Sequence, residues 1–186
     1  TILYAHTWDD RIASSSFFTA FTTLIEGVHE SSRLLVKLHP HLEQKAPAVG
    51  AVLARCAGRD DVVVLRNCPL VYPFLEVADV YVGDMSAMAY DFLAWDRPMF
   101  FLNQTANTAR DPMFARLFRC GTTLEPAQYA RVYPIMADAL ATDRARHSAE
   151  RAKLDAYTHA PALSPPALRA ALERATAGPA PAWLGT

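Results

Sequence analysis

Residues 78–102 read ADVYVGDMSAMAYDFLAWDRPMFFL, and this stretch decides the fold that the sequence predicts. Residues 80–82 are a run of β-forming side chains, the polar turn 83–86 follows it, and residues 87–95 suit a short helix. Residues 99–102 form an unbroken apolar run of the kind found in buried strands. A polar turn that leads into a helix presents free N–H groups and the positive end of the helix dipole. The stretch therefore predicts a strand–turn–helix–strand unit with a place for a phosphate.

The composition of the chain indicates a globular domain with a substantial core. It has 186 residues, of which 52% are hydrophobic and 20% are charged. The formal net charge is −1, whereas domains that bind nucleic acid usually carry a clear cationic excess. We therefore expect no nucleic acid partner.

Cysteine usage and hydropathy indicate the compartment. The three cysteines are widely spaced and form no C-x-x-C pair, which disfavours a zinc site or a disulfide framework and favours a reducing compartment. No apolar run reaches the ~18–20 residues that span a bilayer, and no signal peptide is visible. We therefore expect a cytoplasmic protein. Because the chain starts without Met inside a predicted strand, we also expect it to be part of a longer protein.

Short apolar strands alternate with helical segments along the chain. Residues 2–5, 34–38 and 62–65 are predicted strands in addition to the two in the opening stretch. Uniformly apolar strands that alternate with helices predict an α/β fold, a Rossmann-like parallel sheet with helices on both faces. We assign residues 1–160 to this domain and residues 161–186 to a C-terminal helix and a Pro/Ala-rich tail. The predicted helices are 14–30, 42–56, 71–77, 87–95, 112–118, 127–141, 144–156 and 165–175.

Three polar loops directly follow predicted strands, at residues 6–11, 37–41 and 83–86. The carboxyl ends of parallel strands lie at one edge of the sheet, and ligands bind beyond that edge. The sequence therefore predicts a single site to which all three loops contribute.

His39 and Lys37 are the candidate chemical groups of the second loop. Pro40 restricts the backbone of His39, which fixes the direction of the imidazole and makes it a candidate general acid, general base or phosphate ligand. The alternative is a histidine that caps the strand end. Lys37 lies two residues earlier, so it shares a strand face with His39. A lysine in an apolar strand needs a partner, and either a phosphate or a salt bridge would supply one.

The remaining candidates lie in the first and third loops and on the helix that follows. Asp84 and Ser86 either hold a ligand or cap the helix. Asp91, on the second turn of that helix, either binds a ligand hydroxyl or pairs with a nearby Arg or Lys. Thr7 and Trp8 follow the first strand, and Trp8 either stacks on a base or sugar or belongs to the core. Each of these residues thus has a binding and a structural interpretation.

Several well-known catalytic patterns do not occur in the sequence. It contains no G-x-S-x-G, no Walker A loop, no G-x-G-x-x-G and no H-E-x-x-H. P-loop nucleotide hydrolysis and dinucleotide-dependent redox chemistry are therefore disfavoured. No cofactor and no metal ligand is assigned from the sequence, and a metal requirement stays open.

Three segments together resemble one protein family. They are residues 2–10 (ILYAHTWDD), 36–40 (VKLHP) and 78–93 (ADVYVGDMSAMAYDFL), the last followed by Arg97 and Pro98. In order and spacing they resemble the C-terminal domain of the CDP-glycerol glycerophosphotransferases, the teichoic acid primases and polymerases of the GT-B type. The resemblance covers about residues 1–125.

The resemblance implies a reaction and roles for individual residues. An acceptor hydroxyl would attack the β-phosphate of CDP-glycerol, or of a related CDP-linked polyol, and CMP would leave. His39 matches the active-site histidine of the family, and the helix that starts near Ser86 and Ala87 would hold the donor phosphates. Asp84 and Asp91 would hold polar groups of the donor. Catalysis of this type rests mainly on positioning and charge stabilisation.

The resemblance also implies partners and a location. The acceptor would be a polymer or a lipid-linked molecule, and an N-terminal domain of the same protein would supply a second histidine. The chain would then be the donor-binding half of a capsule or teichoic acid enzyme at the inner face of the plasma membrane, inactive alone. The sequence departs from the family pattern at three positions: His6 replaces a proline, Asp9 an arginine and Ala87 a serine.

Two other functions are compatible with the sequence. One is half of a nucleotide-sugar GT-B glycosyltransferase or UDP-sugar 2-epimerase, which share the half-domain architecture. The other is a non-catalytic module that binds a nucleotide or a partner protein. A comparison of CDP and UDP ligands separates the first from a CDP-polyol enzyme, and turnover by the full-length protein excludes the second.

Overall fold

The computed structural model describes residues 1–7, 15–45, 48–66, 68–104, 112–159 and 164–176. It contains a six-stranded sheet in the order β3-β2-β1-β4-β5-β6, in which every pair of neighbouring strands is parallel. The α/β fold class and the parallel sheet that the sequence predicts are therefore confirmed. The strands are β1 (Ile2–Ala5), β2 (Leu34–Lys37), β3 (Val62–Leu65), β4 (Val80–Gly83), β5 (Met99–Leu102) and β6 (Thr122–Leu124).

The strand order contains one switch point, between β1 and β4. From β1 the chain builds outward to β2 and β3, and from β4 it builds outward in the opposite direction to β5 and β6. Ala5 at the end of β1 pairs in register with Lys37 of β2 and with Gly83 of β4. The carboxyl ends of these three strands therefore lie level with one another, and a crevice opens at such a switch point.

Helices cover both faces of the sheet, as the sequence predicts. Alternate side chains of a strand point to opposite faces, so Tyr4 belongs to one buried cluster and Leu3 to the other. Phe17 and Phe21 of the first helix pack in the Tyr4 cluster, and Phe92 of the fifth packs in the Leu3 cluster. The helices are α1 (Phe17–Glu26), α2 (Pro40–Lys45), α3 (Ala48–Leu53), α4 (Tyr72–Val77), α5 (Ala87–Phe92), α6 (Pro112–Phe118), α7 (Val132–Thr158) and α8 (Pro165–Thr176).

Some predicted helices differ from the observed ones. The single predicted helix 42–56 is divided into α2, α3 and a short 3₁₀ turn. The two helices predicted over residues 127–141 and 144–156 are one continuous helix, α7, preceded by a 3₁₀ segment. The predicted break in α7 fell on Thr142 and Asp143, but Asp143 is buried in mid-helix because Arg151 binds its carboxylate at 2.8 Å.

Arg151 ties α7 to the connection between α5 and β5. Its guanidinium is fully buried and donates to the carboxylates of Asp143 and Asp96, at 2.8 and 2.7 Å, and to the carbonyl of Cys120. Asp96 has a φ of 45°, in the left-handed region, where the chain turns into β5. A buried arginine with two carboxylate partners satisfies most of its donors, so this network fixes the outer layer of the fold.

Candidate functional site

A cavity of about 350 Å³ lies at the switch point of the sheet. Residues 5–7 after β1, 37–40 at the end of β2 and 86–88 after β4 line it, together with Val71. The structure thus brings together the three loops that the sequence analysis singled out. Among the predicted site residues, Thr7, Lys37, His39, Ser86 and Ala87 line this cavity.

Lys37 is a buried cation in the wall of the cavity. Its exposed fraction is only 7%, and its Nζ donates to the carbonyl of Leu38 at 2.8 Å. Burial lowers the pKa of this ammonium group. No carboxylate pairs with Lys37 and none lines the cavity, as far as the described residues go. The salt-bridge interpretation of Lys37 therefore has no support here, and the cavity has room for an anion.

His39 is half-buried beside Lys37. Its Nδ1 accepts a 3.2 Å hydrogen bond from the backbone N–H of His41, so the neutral ring carries its proton on Nε2. Burial lowers the pKa of His39 below its usual value, and the nearby His41 and Lys37 lower it further. The ring is therefore neutral near pH 7 and presents Nε2–H as a hydrogen-bond donor.

His6 is a group in the cavity wall to which the sequence analysis assigned no role. It is 4% exposed, and its Nδ1 lies 2.6 Å from the carbonyl oxygen of Thr7. Burial is the main reason why the pKa of His6 is lowered to about 4, and His39 and Lys37 lower it further. Its position in the sequence could have indicated a role, because His6 is the first polar residue after a buried strand, at the edge of the sheet where ligands bind.

Asp84 positions the loop after β1 and does not line the cavity. The side chain is 1% exposed, and its Oδ2 accepts hydrogen bonds from the backbone N–H groups of Thr7 at 2.8 Å and Ser16 at 3.0 Å. Of the two candidate N-caps of α5, the structure places Ser86 at the N-cap position, without a side-chain capping bond. The Ser86 hydroxyl lies 3.3 Å from the hydroxyl of Tyr81 instead.

The remaining predicted site residues lie elsewhere. Asp91 does not line the cavity, and its carboxylate lies 3.8 Å from Nε2 of His159. Its structural interpretation, a pair with a basic side chain, thus has a counterpart in His159 rather than in Arg or Lys. Trp8 lies outside the described residues, as do Asp9 and the tail 177–186.

Two kinds of feature are absent from the described part of the chain: a cluster of metal-ligating side chains and a membrane-spanning helix. No group of three or more His, Cys, Asp or Glu side chains there is close enough to hold a metal ion. Among the same residues, every helix is too short or too polar to cross a bilayer.

Solved structures share this fold at low sequence identity. A glycosyltransferase from Rickettsia africae ESF-5 matches 82% of the chain with a TM-score of 0.55 and 14% identity. The wall teichoic acid polymerase TagF matches 82% with a TM-score of 0.55 and 16% identity, and the spinosyn rhamnosyltransferase SpnG matches 92% with 0.52 and 15%. The chain spans 42%, 37% and 44% of the length of these three proteins, respectively. At such identities the likeness concerns the fold alone.

Sequence comparison is more specific. No curated protein matches the chain. Residues 1–153, however, match the family described as CDP-Glycerol:Poly(glycerophosphate) glycerophosphotransferase, which confirms the resemblance carried by the three segments. The match spans all three loops that meet at the cavity, so the chain belongs to the CDP-glycerol:poly(glycerophosphate) glycerophosphotransferase family, a family of transferases.

Proposed function

We propose that this chain is the donor-binding domain of a transferase that moves a polyol phosphate from CDP-glycerol, or a related CDP-linked polyol, to an acceptor hydroxyl. The observation that carries the proposal is Lys37, a buried ammonium group without a carboxylate partner among the described residues, in the wall of a cavity at the switch point. A buried charge is costly unless it is paired. The donor diphosphate supplies the missing negative charge.

The other residues of the cavity have complementary roles. His39 donates its Nε2–H to a non-bridging oxygen of the β-phosphate and stabilises the charge that develops there. The Ser86 hydroxyl and the first-turn N–H groups at Ala87 and Met88 bind the other phosphate oxygens. Thr7 contributes its hydroxyl from the loop after β1.

Two described residues of the proposed site, Asp84 and Asp91, do not line the cavity. Asp84 holds the loop after β1 in place through its backbone contacts. Asp91 is a proposed contact to polar groups of the donor, as the resemblance implies, and Trp8 is a proposed stacking contact to the base or sugar.

The proposed chemical step is a substitution at phosphorus. The acceptor hydroxyl oxygen forms a bond to the β-phosphorus, and the bond from that phosphorus to the bridging oxygen breaks with its electron pair on CMP. The hydroxyl proton is released to a base outside the described residues or to water. Because the phosphate charge is already large, positioning and charge stabilisation supply most of the rate enhancement.

Membership of the family supports a proposal for the partners and the setting. The acceptor is a polymer or a lipid-linked molecule of cell-envelope synthesis, of the teichoic acid or capsule type. An N-terminal domain of the same protein closes the cleft over the donor. Binding of the acceptor places the enzyme at the cytoplasmic face of the membrane as a peripheral protein.

Calorimetric titration of CDP-glycerol and of UDP-glucose into the chain tests this function. We expect CDP-glycerol to bind more tightly, and Lys37→Met to weaken its binding about tenfold or more, since a hydrogen-bonded charge pair is lost. The exposed Lys153, on α7, provides the matched control, and Lys153→Met should leave the affinity unchanged. Tighter binding of UDP-glucose would instead favour a nucleotide-sugar enzyme, and equal losses in both variants would contradict the role of Lys37.

A further inference from the structure

The two ring nitrogens of His6 have different environments. Nδ1 lies 2.6 Å from the carbonyl oxygen of Thr7, and a carbonyl oxygen can only accept a hydrogen bond. Nδ1 therefore carries the proton of the neutral ring and donates a hydrogen bond to this carbonyl. The consequence is that Nε2 holds a lone pair and is a hydrogen-bond acceptor.

Nε2 of His6 is buried and has no hydrogen-bond partner in the described part of the chain. The ring is held in place by Phe17, at 4.9 Å between centroids, and by Tyr4, at 5.8 Å. Buried polar atoms in folded proteins nearly always have a partner, so an orphan acceptor on a side chain that lines a ligand cavity indicates a partner that arrives with the ligand.

The chemistry of Nε2 restricts what that partner can be. Burial together with His39 and Lys37 keeps the His6 ring neutral near pH 7, since its pKa is about 4. A neutral acceptor binds a hydrogen-bond donor and gains nothing from an ionised phosphate oxygen, which has no proton to donate. Lys37, in the same cavity, has the opposite preference because its ammonium group only donates.

We propose that Nε2 of His6 accepts a hydrogen bond from a hydroxyl group of the donor, so that the cavity selects a polyol next to the phosphate that Lys37 binds. The inference rests on the proposed donor site and adds its selectivity for a hydroxyl-bearing group. His6 is thereby a substrate-binding residue. Its contact with Thr7 fixes the tautomer and the direction of the ring.

A matched pair of ligands tests the proposal on the unaltered chain. CDP-glycerol and CDP-n-propanol differ only in the two hydroxyl groups of the glycerol, and both keep the diphosphate. We expect CDP-glycerol to bind about tenfold more tightly, which corresponds to one good hydrogen bond that also satisfies a buried acceptor. The ¹⁵N resonance of His6 Nε2 should shift with CDP-glycerol and stay in place with CDP-n-propanol. Equal affinities or equal shifts overturn the proposal.

Two variants separate the ligand contact from the structural role of the ring. His6→Asn retains an N–H near the position of Nδ1, for the Thr7 carbonyl, but has no acceptor near Nε2. His6→Gln places an amide oxygen near Nε2. The preference for CDP-glycerol should therefore disappear in His6→Asn and persist in part in His6→Gln. A full preference in His6→Asn, at unchanged melting temperature, overturns the proposal.

The same titrations distinguish failure of the selectivity from failure of the site. If both CDP compounds bind equally and Lys37→Met weakens both, the donor site stands and the role of His6 is wrong. If neither compound binds, or if Lys37→Met has no effect, the donor site itself is wrong and the selectivity falls with it.

Discussion

The carboxylate of Asp84 accepts a 2.8 Å hydrogen bond from the backbone N–H of Thr7, which lies 77 positions earlier in the chain. The same carboxylate accepts a hydrogen bond from the backbone N–H of Ser16, at the start of α1. Asp84 follows β4 and Thr7 follows β1, so this contact joins the two strands that flank the switch point. The Thr7 carbonyl in turn orients the ring of His6. The wall of the cavity therefore depends on one buried carboxylate that does not line it.

Asp84→Ala should destabilise the protein by about 2–4 kcal/mol, because it leaves the half-buried N–H of Thr7 and the buried N–H of Ser16 without their acceptor. Urea unfolding followed by circular dichroism measures this loss. Asp79 provides a matched control, because its side chain is 74% exposed. Asp79→Ala should change the free energy of unfolding by less than about 0.5 kcal/mol. Similar losses in the two variants would show that Asp84 does not hold the loop.

Gly83→Ala should destabilise the junction of β1 and β4. A Cβ at Gly83 would lie 2.1 Å from the carbonyl oxygen of Ala5 and 2.8 Å from the hydroxyl of Tyr81. The obstacle is backbone of the neighbouring strand, which cannot move aside without loss of the pairing. We expect a loss of about 2–4 kcal/mol in the free energy of unfolding, together with weaker binding of CDP-glycerol.

Gly50 in α3 is the matched control for the substitution at Gly83. No atom lies within 4 Å of a Cβ placed there, and the residue lies inside a helix. Gly50→Ala should therefore raise the free energy of unfolding by about 0.5–1 kcal/mol, since alanine is the better helix former. A loss at Gly50 as large as that at Gly83 would mean that close approach of the strands is not the cause.

The sequence predicted β1 to β5 because each is a short, mainly apolar run, and all of these strands except β3 are buried along their whole length. Residues 62–65 and 99–102 form uninterrupted apolar runs, and the observed strands β3 and β5 have these bounds. β6 was not predicted, since its three residues, Thr122–Leu124, are too few and too polar to form such a run. Its place is decided by pairing with β5, which is a contact of tertiary structure.

The sequence predicted those residues of the candidate site that lie directly at the carboxyl end of a strand. Lys37 and Ser86 line the cavity because they end or follow strands whose carboxyl ends are level. Asp84 lies in the same loop as Ser86, but its side chain points inward to Thr7, and no local pattern distinguishes the two directions. His6 was not assigned a role because an orphan ring nitrogen is visible only once the fold has buried it.

The buried ring of His6 should make the protein less stable in acid. Its pKa is about 4 in the folded protein, against 6.5 for an ordinary histidine. Between these values the unfolded chain binds more protons, so stability rises with pH over this range, and the penalty is fully present below about pH 4. The difference between the two pKa values corresponds to about 3 kcal/mol in the free energy of unfolding.

His6→Gln removes this titration. Unfolding free energies of the variant and the wild type, measured from pH 4 to pH 7, should therefore converge in acid or cross in favour of the variant. The difference between the two proteins at each pH cancels the contributions of the titrating groups that both proteins share. A difference that stays constant over the series would mean that His6 is protonated as easily in the folded protein as in the unfolded chain.

His39 should be required for turnover and dispensable for folding. The ring is half-buried at the sheet edge, and Nε2–H is the donor that the proposed step uses. In the full-length protein, His39→Ala should lower kcat by about 10²–10³-fold, the usual loss for one donor to a developing charge, while the melting temperature stays the same.

His41→Ala is the control for His39, since the exposed His41 donates its backbone N–H to the Nδ1 of His39, and alanine retains that group. Its kcat should stay within about threefold of the wild type, well below the loss expected when a donor to the developing charge is removed. If the full-length His39→Ala variant turns over CDP-glycerol at the normal rate, the hydrogen bond to the β-phosphate must come from a residue other than His39. A protein in which neither the wild type nor the variants turn over, although CDP-glycerol binds, would identify the domain as a binding module that has no catalytic step.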